Sequence, residues 1–177
     1  MEEVRWYALR AFWNKTQSLI DEAKKAGCRT YYAVHTIDCL EDGNLRYSEE
    51  PFIPALFFIQ CHLSWLLEFK QKHYNQFMIY TDVPGGKPAP IRDEEMNIFI
   101  LVTSVQSDNG GDIEVLEPKP QYAKGDLVRV TDGVYKGTTG IVKRIKKDRK
   151  LLVAISGVAV VAISRIPMCY LEKIETT

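Results

Sequence analysis

The stretch that decides the fold is Gly125-Asp126-Leu127-Val128-Arg129-Val130-Thr131-Asp132-Gly133-Val134-Tyr135-Lys136-Gly137-Thr138-Thr139-Gly140-Ile141-Val142. Alternating apolar residues flank a glycine-rich centre, the pattern of two short strands joined by tight turns. Gly133, Gly137 and Gly140 allow tight turns and close backbone approach where side chains would clash. A generic hairpin does not need several glycines at this spacing. Downstream, further strands are expected at 151–156 and 158–164, with a last edge near 169–174, punctuated by turns at Lys147-Asp148 and Gly157. With 127–131 and 140–145 they make short strands alone, which predicts a small SH3-like β-barrel. The β-branched density of 153–163, interrupted by Gly157, favours strands there over helix.

Toward the N-terminus the period changes. Val4-Arg5-Trp6-Tyr7-Ala8-Leu9-Arg10 reads as a strand, and Asn14 with Gln17 forms a capping-box pattern before a helix. Thr16, Leu19, Ile20, Ala23 and Ala26 fall near one face of that helix, and Gly27 ends it. A strand follows from Arg29 to Val34. Glu41-Asp42-Gly43-Asn44 turns into a polar strand through Leu45 and Tyr47. Ile53-Pro54-Ala55-Leu56-Phe57-Phe58-Ile59 predicts a buried strand entered through a proline. A short helix around 64–70 carries Trp65, Leu66 and Phe69, and Phe77-Met78-Ile79-Tyr80 is another strand. Asp93 is expected to cap a third helix whose first turn holds Glu94 and Glu95. Met96, Phe99, Ile100 and Thr103 line one face of it. The fold class is therefore α+β, three helices packed on a mainly antiparallel sheet. Residues 107–123 are turn- and proline-rich and read as a linker, interrupted by a short strand at 113–116, between domains at 1–106 and 124–177.

Composition is that of an ordinary globular chain: 177 residues, 46% hydrophobic and 26% charged. The zero net charge hides an asymmetry, because 122–177 holds 11 Lys and Arg against 5 Asp and Glu. Residues 1–121 hold 12 against 18. Such a split fits domains with different partners. No apolar run is long enough to span a membrane, and the acidic start lacks signal-peptide regions, so a cytoplasmic location is expected. Cys28, Cys39, Cys61 and Cys169 have no zinc-ligand spacing, and reduced, mostly buried thiols are expected. His35, His62 and His73 form no metal-ligand or nucleophile pattern, and Gly85-Gly86-Lys87 lacks the remainder of a phosphate loop. No cofactor, metal or catalysis is expected.

The glycine-rich stretch closely resembles the KOW motif of NusG proteins and several ribosomal proteins. Trp6-Tyr7-Ala8-Leu9-Arg10-Ala11-Phe12 resembles the opening strand of the NusG N-terminal domain, and Pro51-Phe52-Ile53-Pro54-Ala55-Leu56-Phe57-Phe58-Ile59 its proline-led central strand. A finer resemblance is to the UpxY-type antiterminators of capsular-polysaccharide loci. It rests on Pro90-Ile91 before Asp93-Glu94-Glu95-Met96, on Val153-Ala154-Ile155-Ser156-Gly157-Val158-Ala159, and on Arg165-Ile166-Pro167 with Tyr170-Leu171-Glu172-Lys173-Ile174.

The resemblance implies a transcription elongation and antitermination factor that docks rather than catalyses. Its N-terminal domain would bind the clamp helices of RNA polymerase through an apolar patch, here Phe12, Trp13, Ile53, Pro54, Leu56 and Phe58. Apolar strand residues such as Ile53 and Phe58 are equally read as core. Leu56 stands where the family commonly has an aromatic, and Lys15-Thr16 lacks the family's acidic helix opening, which shifts weight to anchors such as Trp13. Tyr135 occupies the place of an aromatic that contacts a ribosomal protein or termination factor; packing on its own barrel is the alternative. Lys143, Arg144, Lys146, Lys147, Arg149 and Lys150 concentrate positive charge on a hairpin, readable as nucleic-acid contact or as solubility and edge protection. The alternative function is an RNA-binding, ribosome-associated KOW protein.

Overall fold

The computed structural model describes residues 3–105, 113–116, 125–145 and 148–174. The N-terminal region runs β1 (Arg5–Ala11), α1 (Thr16–Lys25), β2 (Arg29–Tyr31), β3 (Val34–Glu41), β4 (Asn44–Pro51), β5 (Leu56–Cys61), α2 (Leu63–Lys72), β6 (Phe77–Ile79) and α3 (Asp93–Ser104). Four of these strands form one antiparallel sheet in the order β2-β5-β1-β6.

Period-two alternation sends neighbouring side chains to opposite faces of this sheet. Tyr7, Leu9 and Ala11 of β1 join Phe57, Ile59 and Cys61 of β5 on one side. There they meet Leu19, Ile20 and Ala23 of α1 and Leu66 and Phe69 of α2. On the other side Trp6, Ala8, Leu56 and Phe58 pack with Met96, Phe99 and Val102 of α3. The Phe58 and Phe99 rings lie 5.3 Å apart at a tilt. Fully burying a side chain of this size contributes about 1.5–3 kcal/mol, so the central strands and α3 hold most of this layer. Thr103 donates to the Phe99 carbonyl at 2.7 Å, which leaves its oxygen to accept the Tyr31 hydroxyl at 2.6 Å. Burial pushes the Tyr31 phenol above its ordinary range.

Local details depart from the expectations. Asn14 is no cap: it and Trp13 are left-handed, at φ 55° and 54°, and Lys15 precedes the helix without a side-chain cap. A capping residue needs extended backbone, which these angles deny. Gln17 instead donates to Asp21 at 2.8 Å. Asp93 is the first helical residue and Arg92 the cap position. The proline-led strand starts only at Leu56, because Ala55 turns at φ 63°. Of the thiols only Cys61 is buried, while Cys28 and Cys39 are intermediate and Cys169 is exposed.

Strands β3 and β4 make a separate two-stranded ribbon, paired from Val34↔Pro51 to Glu41↔Asn44. Leu40, Leu45 and Tyr47 on it are exposed.

The C-terminal region contains β7 (Ile113–Leu116), β8 (Asp126–Val130), β9 (Thr139–Ile145), β10 (Asp148–Ile155), β11 (Ala159–Ile163), a 3-10 turn (Met168–Tyr170) and β12 (Leu171–Lys173). All pairings are antiparallel, in the order β12-β8-β9-β10-β11-β7. The short strand expected within the linker thus adds a sixth strand to the sheet by pairing with β11. Among the described residues no ladder joins β12 to β7, so the barrel-like sheet is not closed. Gly140 is dictated by packing: a Cβ there would sit 2.5 Å from the Leu152 carbonyl oxygen. Gly137, at φ 87°, turns the chain so that its N–H reaches the Val130 carbonyl at 2.8 Å.

The two regions touch through α3 and β10. Their buried apolar residues form one continuous cluster, from Trp6 and Phe99 to Leu151, Val153 and Ile155.

Candidate functional site

Three loops converge at one end of the N-terminal sheet. The Ala11 N–H donates to the Ala55 carbonyl at 2.9 Å and the Phe12 N–H to the Gln76 carbonyl at 2.8 Å. The end of β1, the Pro54-Ala55 turn and the segment entering β6 are thereby tied together. In register, Arg10 faces Met78 across β1 and β6. Beyond the part of the sheet covered by α3, Arg10, Phe12, Trp13, Pro54 and Met78 are all exposed.

Trp13 is 84% exposed, unusual for a side chain with so much apolar surface. Four non-glycine residues here have left-handed backbone: Trp13, Asn14, Ala55 and Asn75. Asn adopts this conformation readily, but for Trp13 and Ala55 it costs on the order of 1 kcal/mol, and such strain concentrates where a surface is shaped for a ligand. The corner therefore combines exposed aromatic area, preset loops and the cations Arg10 and Lys15.

The six residues expected to dock are not all brought to this surface. Phe12, Trp13 and Pro54 are exposed and Ile53 is half-buried. Leu56 and Phe58 lie beneath α3, at 3% and 0% exposure, and belong to the core. Alternation with Phe57 and Ile59 puts them on the sheet face that α3 covers. Sequence reasoning passed over Met78 and Arg10; strand alternation from Ala8 through Arg10 to Phe12 was the available signal.

In the C-terminal sheet Tyr135 is buried among the apolar residues of the sheet, and its neighbour Val134 is the exposed one. The packed alternative therefore describes Tyr135. Arg144 and Arg149 are exposed and directly opposed in register, as Lys143 is to Lys150. Lys150 pairs with Glu114 of β7. Lys146 and Lys147 lie outside the described residues. Gly85-Gly86-Lys87 is a turn closed by the Gly86 N–H on Val83 O at 2.8 Å. No group of three or more potential metal ligands occurs among the described residues, and no helix there is long and apolar enough to cross a membrane.

Residues 4–100, from the strand that ends at this corner into α3, match the family model described as transcription termination factor nusG. The chain belongs to the NusG family. Its curated relatives include the transcription termination/antitermination protein NusG of Pseudomonas aeruginosa, 27% identical over 154 residues, covering 82% of this chain and 84% of that one. The Vibrio vulnificus protein of the same name is 27% identical over 165 residues, with 86% of each chain covered. That of Buchnera aphidicola is 23% identical, with 88% covered on both sides. Alignments of this reach take in both regions of the NusG-family chain. A solved structure titled "Domain interaction in Thermotoga maritima NusG" aligns with 98% of each chain at 18% identity and a TM-score of 0.45.

Proposed function

We propose that this NusG-family chain is a transcription termination/antitermination factor that binds RNA polymerase through the corner around Trp13. The observation that carries the reading is Trp13 itself, exposed on a left-handed turn beside Phe12, Pro54 and Met78. A protein-docking surface concentrates affinity in a few aromatic and arginine anchors ringed by near-neutral contacts. Arg10 and Trp13 supply both kinds, and the tied loops reduce the ordering cost of binding. Leu56 and Phe58 contribute by supporting the corner from below.

The finer reading is a locus-specific antiterminator of capsular-polysaccharide operons, supported by the UpxY-like segments at Pro90-Ile91 and Arg165-Ile166-Pro167. The C-terminal sheet contacts a second partner, a ribosomal protein or termination factor, and Val134 rather than the buried Tyr135 is the apolar residue offered at its turn. In vitro transcription through a capsular-locus terminator, against an unrelated terminator, tests the finer reading; equal effects on both reject it.

The docking test is co-elution with purified RNA polymerase. Trp13→Ser, with the fold checked by circular dichroism, is expected to weaken binding at least about tenfold, the loss typical of an anchor worth more than about 1.4 kcal/mol. Wild-type affinity in this variant rejects the corner as the docking face.

A further inference from the structure

Strands β9 and β10 carry like charges directly opposite each other. Lys143 faces Lys150, and Arg144 faces Arg149. Directly opposed like charges destabilise an antiparallel pair, so the arrangement is not what sheet stability selects. The two pairs are treated differently. Lys150 is answered by Glu114 on β7. Among the described residues no carboxylate pairs with Arg144 or Arg149; the Arg149 guanidinium instead reaches the Met168 sulfur at 3.7 Å.

Register fixes where these arginines stand. Val142 opposes Leu151, and Arg144 and Arg149 lie two residues further along the same face. That face holds the sheet's apolar interior at Leu151 and Val153, and the arginines continue it as an exposed rim. A shallow cleft beside the rim is lined by Val142, Leu151, Ile166 and Met168. The intervening sequence adds Lys146 and Lys147, giving six cations to one Asp within 143–150.

We propose that the β9–β10 ribbon grips the sugar-phosphate backbone of a nucleic acid, with Arg144 and Arg149 each taking a phosphate. Two guanidinium forks with no carboxylate of their own among the described residues suit phosphate oxygens, which accept bidentate hydrogen bonds. Phosphates bound to the two guanidiniums also offset their mutual repulsion, so ligand binding recovers what folding gives up. No base-reading geometry is implied, and the grip is independent of sequence. It is also independent of the polymerase corner, which lies in the other region of the chain.

The test is fluorescence anisotropy of the full chain with labelled 20-nucleotide single-stranded RNA, single-stranded DNA and duplex DNA, across a salt series. Arg144→Gln/Arg149→Gln is compared with Lys136→Gln, an exposed cation in the turn between β8 and β9. The double variant is expected to bind at least about fivefold more weakly at low salt. Its dependence of log affinity on log salt should flatten by about 1.4 for single strands, or about 1.8 for duplex, as two phosphate contacts are lost. Lys136→Gln should keep the wild-type slope, and polymerase co-elution should be unchanged in both variants. The arm with the highest affinity identifies the source of the phosphate. Absence of wild-type binding in every arm, or an unchanged slope in the double variant, overturns the proposal. So does equal binding of polyglutamate, which would assign the ribbon to acidic protein instead.

Discussion

Helices α1 and α3 cover opposite faces of one sheet, yet their sequences obey different rules. In α1 only Leu19, Ile20 and Ala23 are buried, and the outward face is polar. In α3 the sheet-facing Met96, Phe99, Val102 and Thr103 are buried. At 100° per residue, Ile98 and Leu101 turn away from the sheet, yet neither is exposed. A polar stripe through Glu94, Asn97 and Ser104 stays exposed, so α3 is covered on two faces where α1 is covered on one. Here β10 lies against α3, so one helix serves as the inner layer of the N-terminal region and as the platform for the C-terminal sheet. The surplus apolar residues of a helix thus record a second neighbour.

The strongest way to break this comparison is to empty both cores. Phe99→Ala should destabilise the chain by about 3–5 kcal/mol and Leu19→Ala by about 2–5 kcal/mol, read from denaturant midpoints. Because Phe99 belongs to the cluster shared by both regions, its loss should also raise amide exchange in β10, whereas the loss from Leu19→Ala should leave β10 protection unchanged relative to global stability. Equal effects on β10 would mean the two helices are equivalent after all.

A gentler substitution isolates the second face. Ile98→Ser should cost about 1 kcal/mol, since part of an apolar side chain leaves a partly buried site. Its signature is faster exchange along β10 with little change in β1 and β5. Gln17→Ala on the outward face of α1 should stay within about 0.5 kcal/mol of wild type.

The smallest effect belongs to the polar rim of α1. Glu22 accepts from Lys72 at 2.5 Å and sits 3.1 Å from His73. The Lys72 hydrogen bond, followed by that of His73, holds its carboxyl below the usual range. A carboxylate depressed in the folded state stabilises above its unfolded pKa, and the contribution fades as pH falls through the folded value. Glu22 is partly exposed, so Glu22→Gln should cost only a few tenths of a kcal/mol at neutral pH. The difference from wild type should vanish in acid; a difference that grows on acidification would reverse the assignment.

Much of this architecture was legible residue by residue. Alternation in Trp6-Tyr7-Ala8-Leu9 announced β1, and the glycine spacing at 133–140 announced β8 and β9, because those signals depend only on local geometry. Asn14 misled because its side chain suits a cap while its backbone turns left-handed. Leu56, Phe58 and Tyr135 misled for another reason: exposure depends on what lies across space. No periodicity within β5 says that α3, nearly forty residues later, will close over it. Of the residues that form the proposed corner, the sequence singles out Phe12, Trp13 and Pro54 but not Met78 and Arg10, since register between strands is not written in either strand alone.

The free-standing β3–β4 ribbon carries one last consequence. Both of its outer edges lack a neighbouring strand among the described residues, a geometry that invites another chain to add on. Asp38, Asp42, Glu49 and Glu50 on the ribbon outnumber Arg46 as charged residues. Two copies approaching edge to edge would bring like charges together. Like charge along an open edge is a device that opposes edge-to-edge pairing.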